Sequence, residues 1–200
     1  MARPADPERA AARRAAITDA AGHLFAERGF ENTTAAEIAR RAGLSAGSVF
    51  YYFTDKRALF RAIFERDIPA SRELIDRLLA EPDPLPAILA LVDALAAEAG
   101  EPYAIGIMVE LIRQVDRDPE LEKVVDETSA IVQDGLITLI ERGIRNGDID
   151  GELDPGEAAT WVQTVIDAAY LNANPGRDSR PMLRRIVSRF LATPTSGVTR

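Results

Sequence analysis

Residues 34–56 read TAAEIARRAGLSAGSVFYYFTDK, and this stretch decides the fold. It opens with a capping box, because the Thr34 hydroxyl can accept from the amide of Glu37 while the Glu37 carboxylate accepts from the amide of Thr34. Gly43 supplies the positive φ that a tight turn requires. Ser45 stands where a second short helix needs its N-cap. Two helices of about two turns joined in this way predict a helix-turn-helix.

The rest of the chain is also patterned for helices, with almost no strand alternation. Apolar residues from Ile17 to Phe25 recur at helical spacing, and Gly29 marks the end of that helix. The fourth helix begins near Thr54 and contains Pro69, which predicts a kink or break. Three later helices open with an Asp-Pro pair, an N-cap followed by proline at the first helical position, and two more helices complete the pattern. The five span Asp83 to about Ala99, Tyr103 to Val115, Asp118 to about Asn146, Asp154 to about Asn172 and Ser179 to Ala192. We therefore expect an all-α fold of about nine helices.

Composition narrows the class of protein. The 200 residues are 46% hydrophobic and 28% charged, which is typical of a globular chain with a real core. The chain contains no cysteine, so disulfides, thiolate nucleophiles and cysteine-ligated zinc are excluded. No stretch approaches about 18 consecutive apolar residues, and the first dozen residues lack the apolar core of a secretory signal. These observations predict a cytoplasmic protein without a membrane segment.

The net charge of −8 is unevenly distributed. Residues 1–60 hold nine of the 24 Lys and Arg but only seven of the 32 Asp and Glu. The N-terminal region is therefore the segment that nucleic-acid phosphates would not repel, and the acidic remainder would keep the rest of the chain away from a duplex.

The residues around the helix-turn-helix closely resemble the DNA-binding domain of the tetracycline-repressor (TetR) family. The resemblance covers roughly residues 13–64 without a gap. It lies in a set of identities at fixed spacing: Ile17, Ala20, Ala21, Leu24, Phe25, Glu27, Gly29, Phe30, Thr33, Thr34, Glu37, Ile38, Ala39, Ala42, Gly43, Ser45, Gly47, Val49 to Phe53, Lys56, Leu59 and Phe60. It implies a three-helix DNA-binding domain over residues 1–55, ordered from about residue 8, and a helical ligand-binding and dimerisation domain over residues 56–200. The tail from Pro194 to Arg200 is expected to be disordered.

The resemblance also implies which residues contact an operator. The N-terminal residues of the second helix of the helix-turn-helix, the one that begins after Ser45, contact base edges in the major groove, and other side chains contact phosphates. Phe50 departs from the family, in which tyrosine is common at this position, and we expect it and Phe53 to pack inward. At least one of the two tyrosines between them should then be exposed. The expected base-reading residues are Ser45, Ala46, Gly47 and Ser48, and the expected backbone contacts are Arg14, Thr34, Tyr51, Tyr52 and Lys56.

The C-terminal half carries less specific signals. The resemblance implies a homodimer built on the last two helices, whose apolar residues could equally form a core within one chain: Ala158, Ala159, Val162, Val165, Ile166 and Ala169, then Leu183, Ile186, Val187, Phe190 and Leu191. It also implies a small-molecule effector, for which Tyr103, Met108, Trp161, Gln163 and Tyr170 are candidate lining residues. Glu110 and Asp167 would favour a cationic effector if they line its pocket. Pro69 is a candidate hinge.

The segment from Asn146 to Glu157 matches much of an EF-hand calcium loop, with oxygen-bearing side chains at Asp148, Asp150 and Asp154. Asn stands at its first position and Pro155 at its tenth, and both depart from the motif. A plain connection between two helices, with Asp154 as an N-cap, explains the same residues. We therefore expect no metal here.

An enzymatic function has little support in the sequence. His23 is the only histidine and no serine or carboxylate pattern accompanies it, and no glycine-rich phosphate loop is present. The preferred hypothesis is a repressor without a cofactor, released from a palindromic double-stranded DNA operator by a small molecule. An activator or a regulator without a ligand remains open. So does a helical binding protein or enzyme that uses the C-terminal cavity and carries a vestigial helix-turn-helix.

Overall fold

The computed structural model describes residues 7–171 and 178–193. Within these ranges the chain is helical and contains no strand, which confirms the all-α expectation. No helix in the same ranges has the length and apolar character needed to span a membrane. The α-helices are α1 (Pro7–Arg28), α2 (Ala35–Arg41), α3 (Ala46–Tyr52), α4 (Lys56–Glu65), α5 (Asp67–Leu79), α6 (Pro84–Glu98), α7 (Ala104–Gln114), α8 (Pro119–Asn146), α9 (Pro155–Leu171) and α10 (Arg180–Leu191), with a 3₁₀ turn, η1 (Val115–Arg117), between α7 and α8.

The break predicted in the fourth helix is present. The α-helix is interrupted at Arg66, whose backbone keeps helical angles (φ −67°, ψ −21°), so one expected helix becomes α4 and α5. Pro69 lies three residues later, and a proline has no amide hydrogen and crowds the carbonyl four residues before it, here that of Glu65. The predicted helix end near Asn172 and the predicted disorder of residues 194–200 lie outside the described residues.

The chain divides into two compact units. The first contains the residues up to Asp67 together with Ile105–Val125, and the second contains Ile68–Ala104 and the residues from Asp126 onward. The predicted division after residue 55 differs from this one. The reason is that α4 places Leu59 and Phe60 in the core of the first unit, where both are 1% exposed.

An aromatic cluster forms the centre of the first unit. The rings of Phe25, Phe30 and Phe60 lie 5.2–5.4 Å apart, with Phe60 edge-on to the other two. Offset and edge-on arrangements of this kind stabilise beyond the area they bury, by about 0.5–1.5 kcal/mol per pair. The cluster joins α1, the loop after it and α4. Ile38 of α2 and Val49 of α3 pack into the same core.

A second contact adds α7 to this unit. A Cβ atom on Gly106 would lie 2.5 Å from the carbonyl oxygen of Ala26, so only glycine allows the backbones of α1 and α7 to approach this closely. Leu121, in the first turn of α8, is fully buried in the same core. The first unit therefore includes a segment that lies far along the sequence from residues 34–56.

The second unit has its own aliphatic core, built from α5, α6, α8, α9 and α10. Leu91 and Val92 of α6, Leu136 and Ile140 of α8 and Val162 of α9 are completely buried within it. These are apolar stripes that the helical spacing indicated, and they pack against one another within the chain.

Candidate nucleic-acid interface

The predicted capping box of α2 is present. The backbone amide of Glu37 donates to Thr34 Oγ1 at 3.3 Å, and the amide and hydroxyl of Thr34 donate to Glu37 Oε2 at 3.0 and 2.8 Å. These bonds from Thr34 hold the pKa of Glu37 below its ordinary value. Arg28, at the end of α1, donates to Glu37 Oε1 at 2.6 Å. The first turn of α2 is therefore held by hydrogen bonds from both Thr34 and Arg28.

The turn between α2 and α3 relies on Gly43. Its φ of 67° lies in the left-handed region, where glycine costs little. The amide of Leu44 donates back to Ala39 at 2.8 Å, which closes the end of α2. Ser45 occupies the N-cap position of α3, but its side chain makes no capping bond and lies 2.9 Å from the hydroxyl of Ser48.

The first turn of α3 is open to solvent. Ser45, Ala46 and Gly47 are exposed, and a Cβ atom on Gly47 would meet nothing within 4 Å. Val49, which is 2% exposed, anchors the opposite side of the helix. Three of the four predicted base-reading residues therefore share an exposed, sterically small surface, and the fourth, Ser48, is half-buried.

The prediction that Phe50 packs inward is wrong, because its side chain is 61% exposed. Val49, which is 2% exposed, sets the inward face of α3, so the residue directly after it points away from the core, and Phe53, the extended residue that ends the helix, is 3% exposed. The expectations of a buried Phe53 and an exposed phenol are confirmed, since Tyr51 is 77% exposed. The rings of Tyr51 and Tyr52 meet edge-on at 5.0 Å.

Arg14 is engaged with the end of α3. Its guanidinium donates to the carbonyl of Tyr52 at 3.1 Å, lies 4.3 Å from the ring centroid of Phe53 and pairs with Glu65 at 3.7 Å. Almost half of the Arg14 side chain is still exposed. A phosphate contact remains a prediction, and the structure adds a role in holding the C-terminus of α3.

Lys56 has partners that the sequence did not suggest. Its ammonium donates to the carbonyls of Phe30, Glu31 and Thr33 at 2.7, 3.4 and 3.4 Å and lies 4.4 Å from the centroid of the Phe30 ring. Three carbonyl oxygens therefore lie within hydrogen-bonding distance of an ammonium that has three protons. The phosphate contact of Lys56 stays a prediction, and the structure adds a role in holding the loop between α1 and α2.

The candidate effector residues do not form one set. Met108 belongs to the first unit, whereas Tyr103, Trp161, Gln163 and Tyr170 belong to the second. Trp161 is 55% exposed. The other contacts are polar: the hydroxyl of Tyr170 donates to the carbonyl of Leu95 at 3.3 Å, and Gln163 Nε2 donates to Asp167 at 3.0 Å and leaves a buried Oε1 without a hydrogen-bond partner. Their effector role stays a prediction.

The helices α9 and α10 each have a buried and an exposed apolar face. Of the residues predicted for a dimer interface or a core, most lie in the core of the second unit, whereas Ile186 is 44% and Phe190 37% exposed. The exposed set comprises Trp161, Leu171, Met182, Ile186 and Phe190.

The EF-hand-like segment uses its carboxylates to cap backbone amides. Asp150 Oδ1 accepts from the amide of Glu152 at 3.0 Å, and Asp154 Oδ1 accepts from the amide of Glu157 at 2.8 Å. Within residues 7–171 and 178–193, no three His, Cys, Asp or Glu side chains are grouped as a metal site would require. Asp150 and Asp154 therefore act as caps in the connection between α8 and α9.

The structure defines a DNA-binding protein of the helix-turn-helix class. Its exposed helix α3 follows the turn at Gly43 and packs through Val49 on the core of the first unit. Comparison with known families agrees. Residues 17–63 match the model of bacterial regulatory proteins of the tetR family, and residues 84–194 match the model of the C-terminal region of BetI-type transcriptional repressors. The chain belongs to the tetR family of bacterial regulatory proteins.

Individual relatives are distant over the full length. The transcriptional repressor AcnR of Corynebacterium diphtheriae is 24% identical over 168 residues, which cover 84% of each chain. The regulator BetI of Cronobacter sakazakii is 42% identical, but over 73 residues that cover 36% of this chain and 35% of BetI. Among solved structures, the fatty acid degradation regulator FadR of Bacillus halodurans superposes with a TM-score of 0.76 at 20% identity and covers 88% of this chain and 94% of its own.

Proposed function

We propose that the protein is a homodimeric transcriptional repressor that binds a palindromic operator and is released from it by a small molecule. The observation that carries the proposal is the open first turn of α3, where Ala46 and Gly47 are exposed and a Cβ atom on Gly47 would meet nothing within 4 Å. A recognition helix needs such a surface to enter the major groove. The two matched family models support the regulatory assignment.

The base-reading surface has an apolar part and a polar part. Ala46 and Phe50 lie four residues apart on α3, on one side of the helix, and both are exposed. Alanine and phenylalanine can contact the methyl group of thymine, which is found only in the major groove. Ser45 and Ser48 can donate or accept toward either base pair. The proposed operator half-site therefore contains at least one thymine opposite the apolar part.

Backbone contacts fix the position of the helix on the duplex. The hydroxyl of Tyr51 is the most exposed polar group on α3 and is our candidate phosphate donor. Thr34, Tyr52 and Arg14 are proposed to lie beside the same phosphates, with part of each already committed to the contacts described above. Lys56 is proposed to act through the loop after α1.

Two copies of the chain are proposed to associate through the exposed apolar residues of α9 and α10. Trp161, Met182 and Ile186 are 55%, 54% and 44% exposed, although all three are large apolar residues. A two-fold dimer presents two recognition helices, which meet half-sites about one helical turn or a multiple of it apart. This predicts a palindromic operator.

Release by a small molecule is proposed on the same basis. A ligand that binds better to one spacing of the two recognition helices shifts the dimer toward that spacing, and operator affinity falls when the operator requires the other spacing. A related structure, FadR of Bacillus subtilis, was solved in complex with stearoyl-CoA, with a TM-score of 0.74 at 21% identity over 88% of this chain and 98% of its own. For this chain we propose an effector held in the second unit, with Tyr103, Gln163, Asp167 and Tyr170 as polar contacts. Trp161 is assigned instead to the dimer surface because it is exposed.

The proposal is tested by selecting random duplexes on the purified protein and titrating the enriched duplex at several salt concentrations. We expect a palindrome bound by two subunits, with affinity that falls steeply as salt rises. Gly47→Glu should abolish binding, whereas the same change at Gly151, which is equally open, should leave it intact. A folded protein that enriches no sequence would refute operator recognition.

A further inference from the structure

A cleft of about 340 Å³ opens in the first unit, away from the exposed surface of α3. It is lined by the end of α1, the loop that follows it, the end of α7 and η1. Glu110 and Gln114 form its floor and are only 4% and 5% exposed, although both are polar. A volume of this size lies at the lower end of the range for small-molecule sites, roughly 300–1,000 Å³.

The floor of the cleft is held rigidly. The close approach of Gly106 to Ala26 fixes α7 against α1. Gly29 has a φ of 80°, and a Cβ atom added to it would lie 3.2 Å from Glu110 Oε2. Gln114 Nε2 donates to Glu110 Oε1 at 2.8 Å. The buried carboxylate is therefore held in one place by its own helix and by the end of α1.

The rim is positively charged. Three arginines, Arg28, Arg113 and Arg117, line the cleft together with two glutamates, Glu31 and Glu110, so the lining carries a net charge of +1. Arg113 lies 3.5 Å from Glu110, a long ion pair, and its side chain is 65% exposed. Guanidinium groups bind carboxylates and phosphates through paired hydrogen bonds, and several of them around one cavity select anions.

We propose that this cleft binds a small anion that carries carboxylate or phosphate groups, and that the bound anion weakens operator binding through Arg28. The anion site stands on the cleft alone, whereas its effect on DNA rests on the proposed repressor function. This site lies in the same unit as the helix-turn-helix and is separate from the effector site proposed for the second unit.

Arg28 connects the cleft to the DNA-binding surface. Its guanidinium donates to Glu37 Oε1 at 2.6 Å, and Oε2 of the same carboxylate accepts both bonds from Thr34. An anion that draws Arg28 into the cleft removes that bond from Glu37. The carboxylate then loses a partner that orients it toward Thr34, and the start of α2 becomes less well fixed.

Binding is measured by isothermal titration of the full-length protein with sodium phosphate, pyrophosphate and succinate, each against sodium chloride at matched ionic strength. Arg117→Gln removes one rim charge and leaves the backbone in place. Arg145→Gln is the matched control, because Arg145 is also exposed, pairs with Glu141 at 3.7 Å and lies in the second unit. We expect at least one probe to bind the wild type and the control, and to bind Arg117→Gln at least tenfold more weakly.

The probes also separate the two ligand classes, since pyrophosphate alone would identify a phosphate and succinate alone a carboxylate. No heat from any probe, or equal binding to Arg117→Gln, would overturn the site. Operator affinity is then measured with the bound probe at matched ionic strength, where we expect at least a fivefold loss in the wild type and none in Arg117→Gln. An anion that binds but leaves operator affinity unchanged refutes the coupling. A protein that binds the anion but no operator refutes the repressor function and leaves the site standing.

Discussion

Replacing Lys56 with methionine distinguishes a structural role from a direct phosphate contact. In the structure its ammonium binds the carbonyls of Phe30, Glu31 and Thr33, the shortest bond being 2.7 Å, and lies over the Phe30 ring. A hydrogen bond to a charged group contributes about 1.5–3 kcal/mol, and the side chain is half-buried. We therefore expect Lys56→Met to lower the free energy of unfolding by about 2 kcal/mol, roughly 4–8 °C in melting temperature for a chain of this length.

The effect on DNA binding is measured as the slope of log affinity against log salt. Loss of one phosphate contact reduces this slope by about 0.9 per subunit, or about 1.8 per dimer. If Lys56 acts only through the loop after α1, the slope stays the same and affinity falls by a similar factor at every salt concentration.

The control is Lys123→Met, which removes the chain's other lysine and the same unit of charge. Lys123 is 70% exposed and pairs only with Glu120 at the start of α8, so neither melting temperature nor salt slope should change beyond error. A Lys56→Met protein with unchanged stability, and with the slope of log affinity against log salt reduced by about 1.8, would refute the role of Lys56 in holding the loop after α1. It would favour the predicted phosphate contact instead.

Three further outcomes test other parts of the structure. Gly106→Ala should lower the free energy of unfolding by about 1–3 kcal/mol, because the new Cβ lies 2.5 Å from a backbone oxygen that cannot move aside, whereas Gly151→Ala should be neutral; equal melting curves would refute the close approach of α1 and α7. Replacing operator thymines by uracil, one at a time, should weaken wild-type binding at one position at least and have no effect there on Phe50→Ala; full sensitivity in Phe50→Ala would count against the proposed methyl contact. Ile186→Glu places a charge on the exposed face of α10 and should convert the dimer to monomers in light scattering, and an unchanged mass would exclude this face from the interface.

The local parts of the fold could be predicted because their signals are local. The capping box at Thr34 and the turn at Gly43 each depend on a few neighbouring residues, and both are present as expected. The break before Pro69 likewise follows from the geometry of proline and the carbonyl four residues before it. The predicted location is offset by three residues, because the effect of a proline is exerted on the preceding turn.

The contacts that the sequence did not reveal are those between distant segments. Lys56 reaches the loop at Phe30, 26 residues away, and Glu110 is buried beside Gly29. The i, i+3 spacing of Phe50 and Phe53 predicts a shared inward face, whereas the two-turn helix is anchored by Val49 and leaves Phe50 exposed. In a helix this short, one buried residue sets the direction of all the others, and periodicity alone does not identify that residue.

The division of the chain bears directly on how such a regulator responds. Because α7, η1 and the first turn of α8 belong to the first unit, a change in this segment is already a change inside the DNA-binding unit. Arg61 of α4 pairs with the buried carboxylate of Asp118 at 2.9 Å, and the same carboxylate accepts from the amides at the start of α8. Breaking a buried pair of this kind leaves an uncompensated charge and costs about 3–5 kcal/mol, so α4 and the start of α8 are expected to move together. Since α4 follows α3 after only three residues, a displacement of the start of α8 is expected to move α4 through the Arg61–Asp118 pair, and α3 with it.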